Sequence, residues 1–212
     1  DRVKSFVDEF RAAFATMYPT VKDNPDYTSI INERQYERLQ GILNDARDKG
    51  AEVIEVNPGN EYFGEGTRKM PPHLIVNPTE GMRVLQEEIF GPLLPIITYD
   101  RMEEALDYIN DRPHPLALYY FGYDRSEQKY VREHTRSGGV CINDTLVHVG
   151  QDDLPFGGVG DSGMGSYHGS EGFVTFSNPR GIMRKQRLNS GKVIHAPHGT
   201  LLHKLIYKVF IR

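Results

Sequence analysis

The chain has 212 residues, enough to bury the core of one large domain or of a domain with an appendage. With 38% hydrophobic and 25% charged residues and a mean hydropathy of -0.52, it reads as a soluble globular protein without an apolar run long enough to cross a bilayer. Its single cysteine excludes an internal disulfide and any cysteine-rich metal site, so a reducing, cytoplasmic setting is the default expectation.

The net charge of -4 hides an asymmetry. From Arg180 to Arg212 there are eight Lys/Arg and no acidic residue, which leaves 17 basic against 29 acidic residues in the preceding part. Because these cations are spread through apolar stretches without an aromatic stacking platform, no nucleic-acid partner is expected. Subunit packing is the expected use of the tail.

In chain order, Val3, Phe6, Val7, Phe10, Phe14 and Met17 recur at helical spacing and form one apolar stripe. This pattern is already running in the first turn, from which the sequence is expected to be a piece of something longer. Pro19 and Pro25 mark a loop from Tyr18 to Ile30. Asn32 followed by Gln35 has the form of a capping box, and Tyr36, Leu39, Leu43 and Ala46 continue one helical face until Gly50. Ala51 to Val56 then reads as a strand closed by Pro58-Gly59, and His73 to Val76 as a second strand fenced by prolines. Further on come a strand from Leu93 to Tyr99, a helix from Met102 to Asp111, a strand from Leu116 to Phe121, a helix from Ser126 to Arg136 and a strand from Val140 to Asn143. This alternation predicts an α/β fold with a largely parallel sheet and helices on both faces, in which ligands sit beyond the carboxyl ends of the strands.

Two stretches carry chemistry. In Gln86-Glu87-Glu88-Ile89-Phe90-Gly91-Pro92, two carboxylates stand just before an aromatic, and Gly-Pro constrains the backbone. An ionised carboxylate only accepts hydrogen bonds, which matches a vicinal diol such as a ribose, and a neighbouring ring can cover a flat heterocycle. The plainer alternative is two solvated glutamates beside two core residues. The second stretch, Pro155 to Gly172, holds seven glycines. A phosphate cradle is disfavoured there, because no Gly-x-Gly-x-x-Gly follows a strand and no Lys-Ser/Thr follows; close packing of chain on chain is expected instead.

Together, the loop from Gln86 to Pro92 and the run from Pro155-Phe156-Gly157-Gly158 to Tyr167-His168-Gly169 resemble the back half of an aldehyde dehydrogenase. The resemblance covers essentially the whole chain. Its Tyr167-His168-Gly169 ending and basic tail are closer to the class 3, fatty-aldehyde and coniferyl-aldehyde branch than to the tetrameric classes.

The resemblance implies NAD or NADP as cofactor, with Glu88 on the hydroxyls of the nicotinamide ribose and Phe90 near the nicotinamide ring. It implies that Phe156 lines an aldehyde channel whose mouth is shaped by the loop from Asn143 to Leu154, so that Asn143, Val147, His148 and Val149 are candidates for substrate contact. For His148 and His168 a core or surface histidine without a chemical role is the more frequent outcome. The family's nucleophilic cysteine and general-base glutamate are not matched. Cys141 follows Gly138-Gly139-Val140 inside an apolar strand and should be a buried, inert thiol. No catalytic or metal-binding residue is therefore assigned, and the chain alone is expected to be inactive and to hold the cofactor poorly.

Residues 1–172 are thus expected to form part of the catalytic domain, and residues 173–212 an oligomerisation strand and basic tail. The segment Phe173 to Lys185 resembles the family strand that pairs across a subunit interface, so a homodimer or larger homo-oligomer is expected. Leu201 to Arg212 is a basic amphipathic helix pattern, read as packing on protein rather than on a membrane. A non-catalytic assembly module or pseudoenzyme with the same fold is the alternative. Aldehyde preference and the choice of NAD or NADP are not readable from these residues.

Overall fold

The computed structural model describes all residues except 1, 65, 186, 188–194 and 211–212. It divides into two compact units, Asp1–Tyr108 and Ile109–Arg212.

The first unit is built around one short strand. β2 (His73–Val76) is buried at all four positions, because it lies between β1 (Glu52–Glu55) and β3 (Leu93–Ile96) and is covered on both faces. That is why His-Leu-Ile-Val is a continuous apolar run and not an alternating one. Leu74 points to one side, where Val7 and Phe14 of α1 (Arg2–Met17) pack with Val21 and Val56. Ile75 points to the other, against Leu39, Ile42, Leu43 and Ala46 of α2 (Glu33–Asp48), together with Met82, Val84 and Leu93. Each fully buried aliphatic side chain here contributes about 1.5–3 kcal/mol. α2 starts where its sequence signals it, with Asn32 Oδ1 accepting from Gln35 N at 2.9 Å, and it ends before Gly50 at φ 86°.

The strand pairing is largely parallel, as expected, with one exception. β2 and β3 are parallel, with His73 opposite Leu93, but β1 runs antiparallel to β2, with Val53 opposite Ile75. The connection from β1 to β2 contains no crossover helix, and a strand that returns through a loop pairs antiparallel. The sheet of this unit is mixed.

α3 (Met102–Asn110) leads into the second unit, which contains a β-α-β crossover: β4 (Ala117–Tyr120), α4 (Arg125–His134) and β5 (Gly139–Ile142), the two strands parallel with Tyr119 opposite Cys141. Asp124 caps α4 through the backbone N–H groups of Ser126 and Glu127. Two 3-10 turns follow, Val147–Gly150 and Gly160–Ser162, then α5 (Gly169–Thr175) and α6 (Leu201–Phe210). In the single chain Phe173 to Thr175 complete α5 and 177–185 is exposed without regular structure, while the strand expected from Phe173 to Lys185 is one that pairs with another subunit. A strand there has no neighbour to pair with among the described residues. The basic helix forms as its spacing predicts. The described helices include none long and apolar enough to cross a membrane.

Candidate functional site

In the first unit the loop of residues 86–92 is clamped from beneath and open above. Its clamp is Arg38 of α2, whose guanidinium donates to the carbonyl oxygens of Glu88 at 2.9 Å and Ile89 at 2.5 Å, while its Nε is held by Gln35 Oε1 at 2.7 Å. Ile89 packs on the α2 core cluster. Gly91 lies so close to that core that an added Cβ would fall 2.4 Å from Leu39 Cδ1, and the exit is tied to the sheet by His73 N–H donating to Pro92 O at 2.8 Å.

The two glutamates have different roles. Glu87 is consumed by structure: Arg83 Nε donates to it at 2.7 Å, Arg38 stands 3.8 Å away, and the hydrogen bond from Arg83 holds its carboxyl below the usual range. Arg83 is itself held, its N–H donating to Asp45 Oδ2 at 2.9 Å. Glu88, by contrast, is exposed, and its carboxylate has no hydrogen bond or ion pair among the described residues.

Phe90 is the third feature. Its ring is 84% exposed and its backbone sits at φ 49°, a left-handed conformation that costs a non-glycine residue on the order of 1–3 kcal/mol. It forms a ridge between two open depressions. One, of about 610 Å³, is lined by Asn32, Gln35, Arg38, Glu87 and Glu88; the other, of about 500 Å³, by Tyr27, Ile30, Met70 and Pro92. Tyr27 donates its hydroxyl to Met70 O at 2.7 Å, and burial pushes its phenol up to about 12.

In the second unit Asn143 closes the end of β5 at φ 58°. Its Oδ1 accepts from Gly122 N at 2.8 Å and its Nδ2 donates to Gly122 O at 3.1 Å, so the amide acts as an added rung between the ends of the two strands. The amide of Asn143, expected at the mouth of the aldehyde channel, thus holds the strand ends together. The loop then turns through Leu146, which is exposed and held at φ 63°, into the 3-10 turn that leaves Val147 half exposed and buries His148 to 9% exposure. His148, expected among the substrate-contact candidates, is packed inward in this chain.

Phe156 is half-buried and fixed by a two-bond rung, donating to Tyr167 O at 2.8 Å and accepting from Tyr167 N at 2.9 Å. Around its ring stand His148 at 5.9 Å, Tyr167 at 5.6 Å and His168 at 6.4 Å between centroids. Gly157 and Gly158, just beyond it, are close-packing devices of the kind the glycine-rich run predicts. A Cβ at Gly157 would lie 2.0 Å from Gly165 O, and one at Gly158 2.1 Å from Ser162 O. Cys141 is buried in β5.

A family model described as "Aldehyde dehydrogenase family" matches residues 1–182. The chain belongs to that family. A probable coniferyl aldehyde dehydrogenase of Pseudomonas aeruginosa is 54% identical over 212 residues, all of this chain and 43% of the relative. Among solved structures, a Staphylococcus aureus AldH in a substrate-bound state is 39% identical with a TM-score of 0.72, over 90% of this chain and 40% of its own. An aldehyde dehydrogenase C variant of Pseudomonas syringae, solved with NAD+ and octanal, is 32% identical with a TM-score of 0.60, over 68% of this chain and 29% of its own. The chain thus spans less than half the length of the relatives it matches. Family members use NAD(P), act on aldehydes and are generally oligomeric.

Sequence reasoning missed Arg38 and Leu146. No local signal marks Arg38, which acts on carbonyls 50 and 51 positions away. Nor does any residue type in the sequence announce the left-handed backbone of Leu146.

Proposed function

We propose that this chain is the C-terminal part of an NAD(P)-dependent dehydrogenase that oxidises aromatic aldehydes of the coniferyl type to acids. The observation that carries the reading is the unpaired Glu88 carboxylate beside the outward, strained Phe90 ring on a loop otherwise clamped at every point. Such a loop is preorganised for a ligand that offers hydroxyls next to a flat ring. Glu88 accepts the hydroxyls of the nicotinamide ribose, and Phe90 flanks the base. What a bound nicotinamide supplies is acceptance of a hydride. Phe156 and the exposed Leu146 and Val147 of the preceding loop offer apolar surface suited to an aromatic aldehyde. The 54% identity to the probable coniferyl aldehyde dehydrogenase supports this substrate class.

The chain by itself does not carry out the oxidation. Cys141 is buried inside β5 and cannot reach an aldehyde as a thiolate nucleophile. The nucleophile and the general base belong to the part of the relatives' length that this chain does not span. Its exposed Phe173, Phe176, Ile182 and Met183 suit an interface between copies, and a cytoplasmic homodimer or larger homo-oligomer is the proposed assembly.

The test compares NADH formation from coniferyl aldehyde and NAD by this chain and by a polypeptide that joins it to the rest of that length. The joined form produces NADH and the chain alone does not. NADH from the chain alone, abolished by Cys141→Ser, would overturn the assignment.

A further inference from the structure

We infer that His148 is a positioning residue, whose buried ring seats Phe156 and thereby selects among aldehydes; the second half of this statement rests on the function proposed above. Three observations meet at this side chain. The 3-10 turn of Val147–Gly150 turns it inward while its neighbours Leu146 and Val147 stay exposed. Both of its ring nitrogens are buried and have no hydrogen-bond partner among the described residues. And β5 leaves room for it by carrying Gly139, where a Cβ would lie 3.0 Å from His148 Cδ2 and 3.1 Å from Nε2.

A buried polar ring without partners is a costly way to fill space. The rings next to it are aromatic: Tyr119 of β4 at 5.9 Å and 74°, and Phe156 at 5.9 Å and 60°. The backbone of Phe156 is fixed by its rung with Tyr167, but hydrogen bonds to the backbone do not set the direction of a phenyl ring. That direction is set by the rings around it. Tyr167 is 45% exposed and His168 is only partly buried, whereas His148 is buried, close against Gly139 of β5 and beside Tyr119 of β4. His148 is therefore the fixed wall against which Phe156 rests. It acts through Phe156 and not by contact with substrate.

The first test is on the 212-residue chain, labelled at phenylalanine ring carbons. Nuclear Overhauser contacts are expected between the His148 ring and the Phe156 ring, and between Phe156 and Tyr167. His148→Ala should weaken the Phe156–Tyr167 contacts, while His148→Leu, of similar volume, keeps them. The second test uses the joined polypeptide. His148→Ala and Gly139→Ala should each raise KM for coniferyl aldehyde about tenfold, with kcat within about twofold and KM for acetaldehyde unchanged, because only a bulky substrate reads the position of the ring. His148→Leu should restore KM to within about twofold of the parent. Unchanged Phe156 contacts in His148→Ala would overturn the inference, as would equal losses for both aldehydes. If the parent oxidises neither aldehyde, the proposed function fails while the ring contacts still decide whether His148 seats Phe156.

Discussion

Arg38 on α2 donates to two successive carbonyl oxygens, those of Glu88 and Ile89, at 2.9 and 2.5 Å. One guanidinium thereby fixes the backbone on which the free carboxylate and the strained ring are mounted. Its planar fork suits two neighbouring acceptors, which an ammonium cannot span. Arg38→Lys is expected to lower the urea midpoint by an amount worth about 1 kcal/mol, since the group is partly solvated, and to raise KM for NAD in the joined polypeptide severalfold. A variant with unaltered KM for NAD would show that the clamp is not needed for cofactor binding.

The division of labour between Glu87 and Glu88 gives opposite outcomes for two like substitutions. Glu87→Gln removes ion pairs with Arg83 and Arg38 and should loosen the 3-10 turn of Arg83–Leu85, with only a small loss of stability because all three groups are solvent-accessible. Glu88→Gln should leave thermal unfolding unchanged and raise KM for NAD about tenfold or more, as an amide accepts hydroxyl hydrogen bonds less strongly than a carboxylate. Melting curves and NAD titrations on both variants separate the two roles; a stability loss in Glu88→Gln alone would reverse them.

Gly91 is required by packing and not by its φ. A methyl group there meets Leu39 Cδ1 at 2.4 Å in the centre of the α2 cluster. Gly91→Ala is expected to destabilise the chain by about 1–3 kcal/mol, the range of an overpacked core. Combining it with Leu39→Val should cost less than the sum of the two single changes, because the second makes room for the first. Strict additivity in chemical unfolding would disprove the contact.

His73 gives the first unit a pH dependence. Burial in the central strand pushes its imidazole below the ordinary value of 6.5, and Glu55, with Oε2 3.6 Å from Nε2, opposes that shift only in part. The folded value is lowered, so the unfolded chain binds the proton first as pH falls. Stability from this residue is full above the unfolded value and is lost as pH descends from there through the folded one. Between about pH 7 and 5 the unfolding midpoint should fall, and His73→Leu should flatten that slope. An unchanged slope would place the proton uptake elsewhere.

Much of this protein was legible in its residues. Helical spacing in Val3 to Met17 and in Tyr36 to Ala46, the cap at Asn32 and the stop at Gly50 are local codes, because burial on one face repeats with the period of the helix. The glycine run announced close backbone approaches, found at Gly157 and Gly158, and positive-φ turns, found at Gly160 and Gly165, for an equally local reason, since a missing Cβ permits both. The tertiary structure alone decided the rest. It ran β1 antiparallel, spent Asn143 on Gly122, tied down Glu87 while leaving Glu88 free, and turned His148 inward. Each of these depends on which group from a distant part of the chain arrives next to a given side chain, and spacing along the sequence carries no record of that. The sequence by itself determined the elements, the apolar faces and the two stretches that mark the family; which of their polar groups are used up and which remain available was settled only when Arg38, Arg83 and Gly122 came into contact with them.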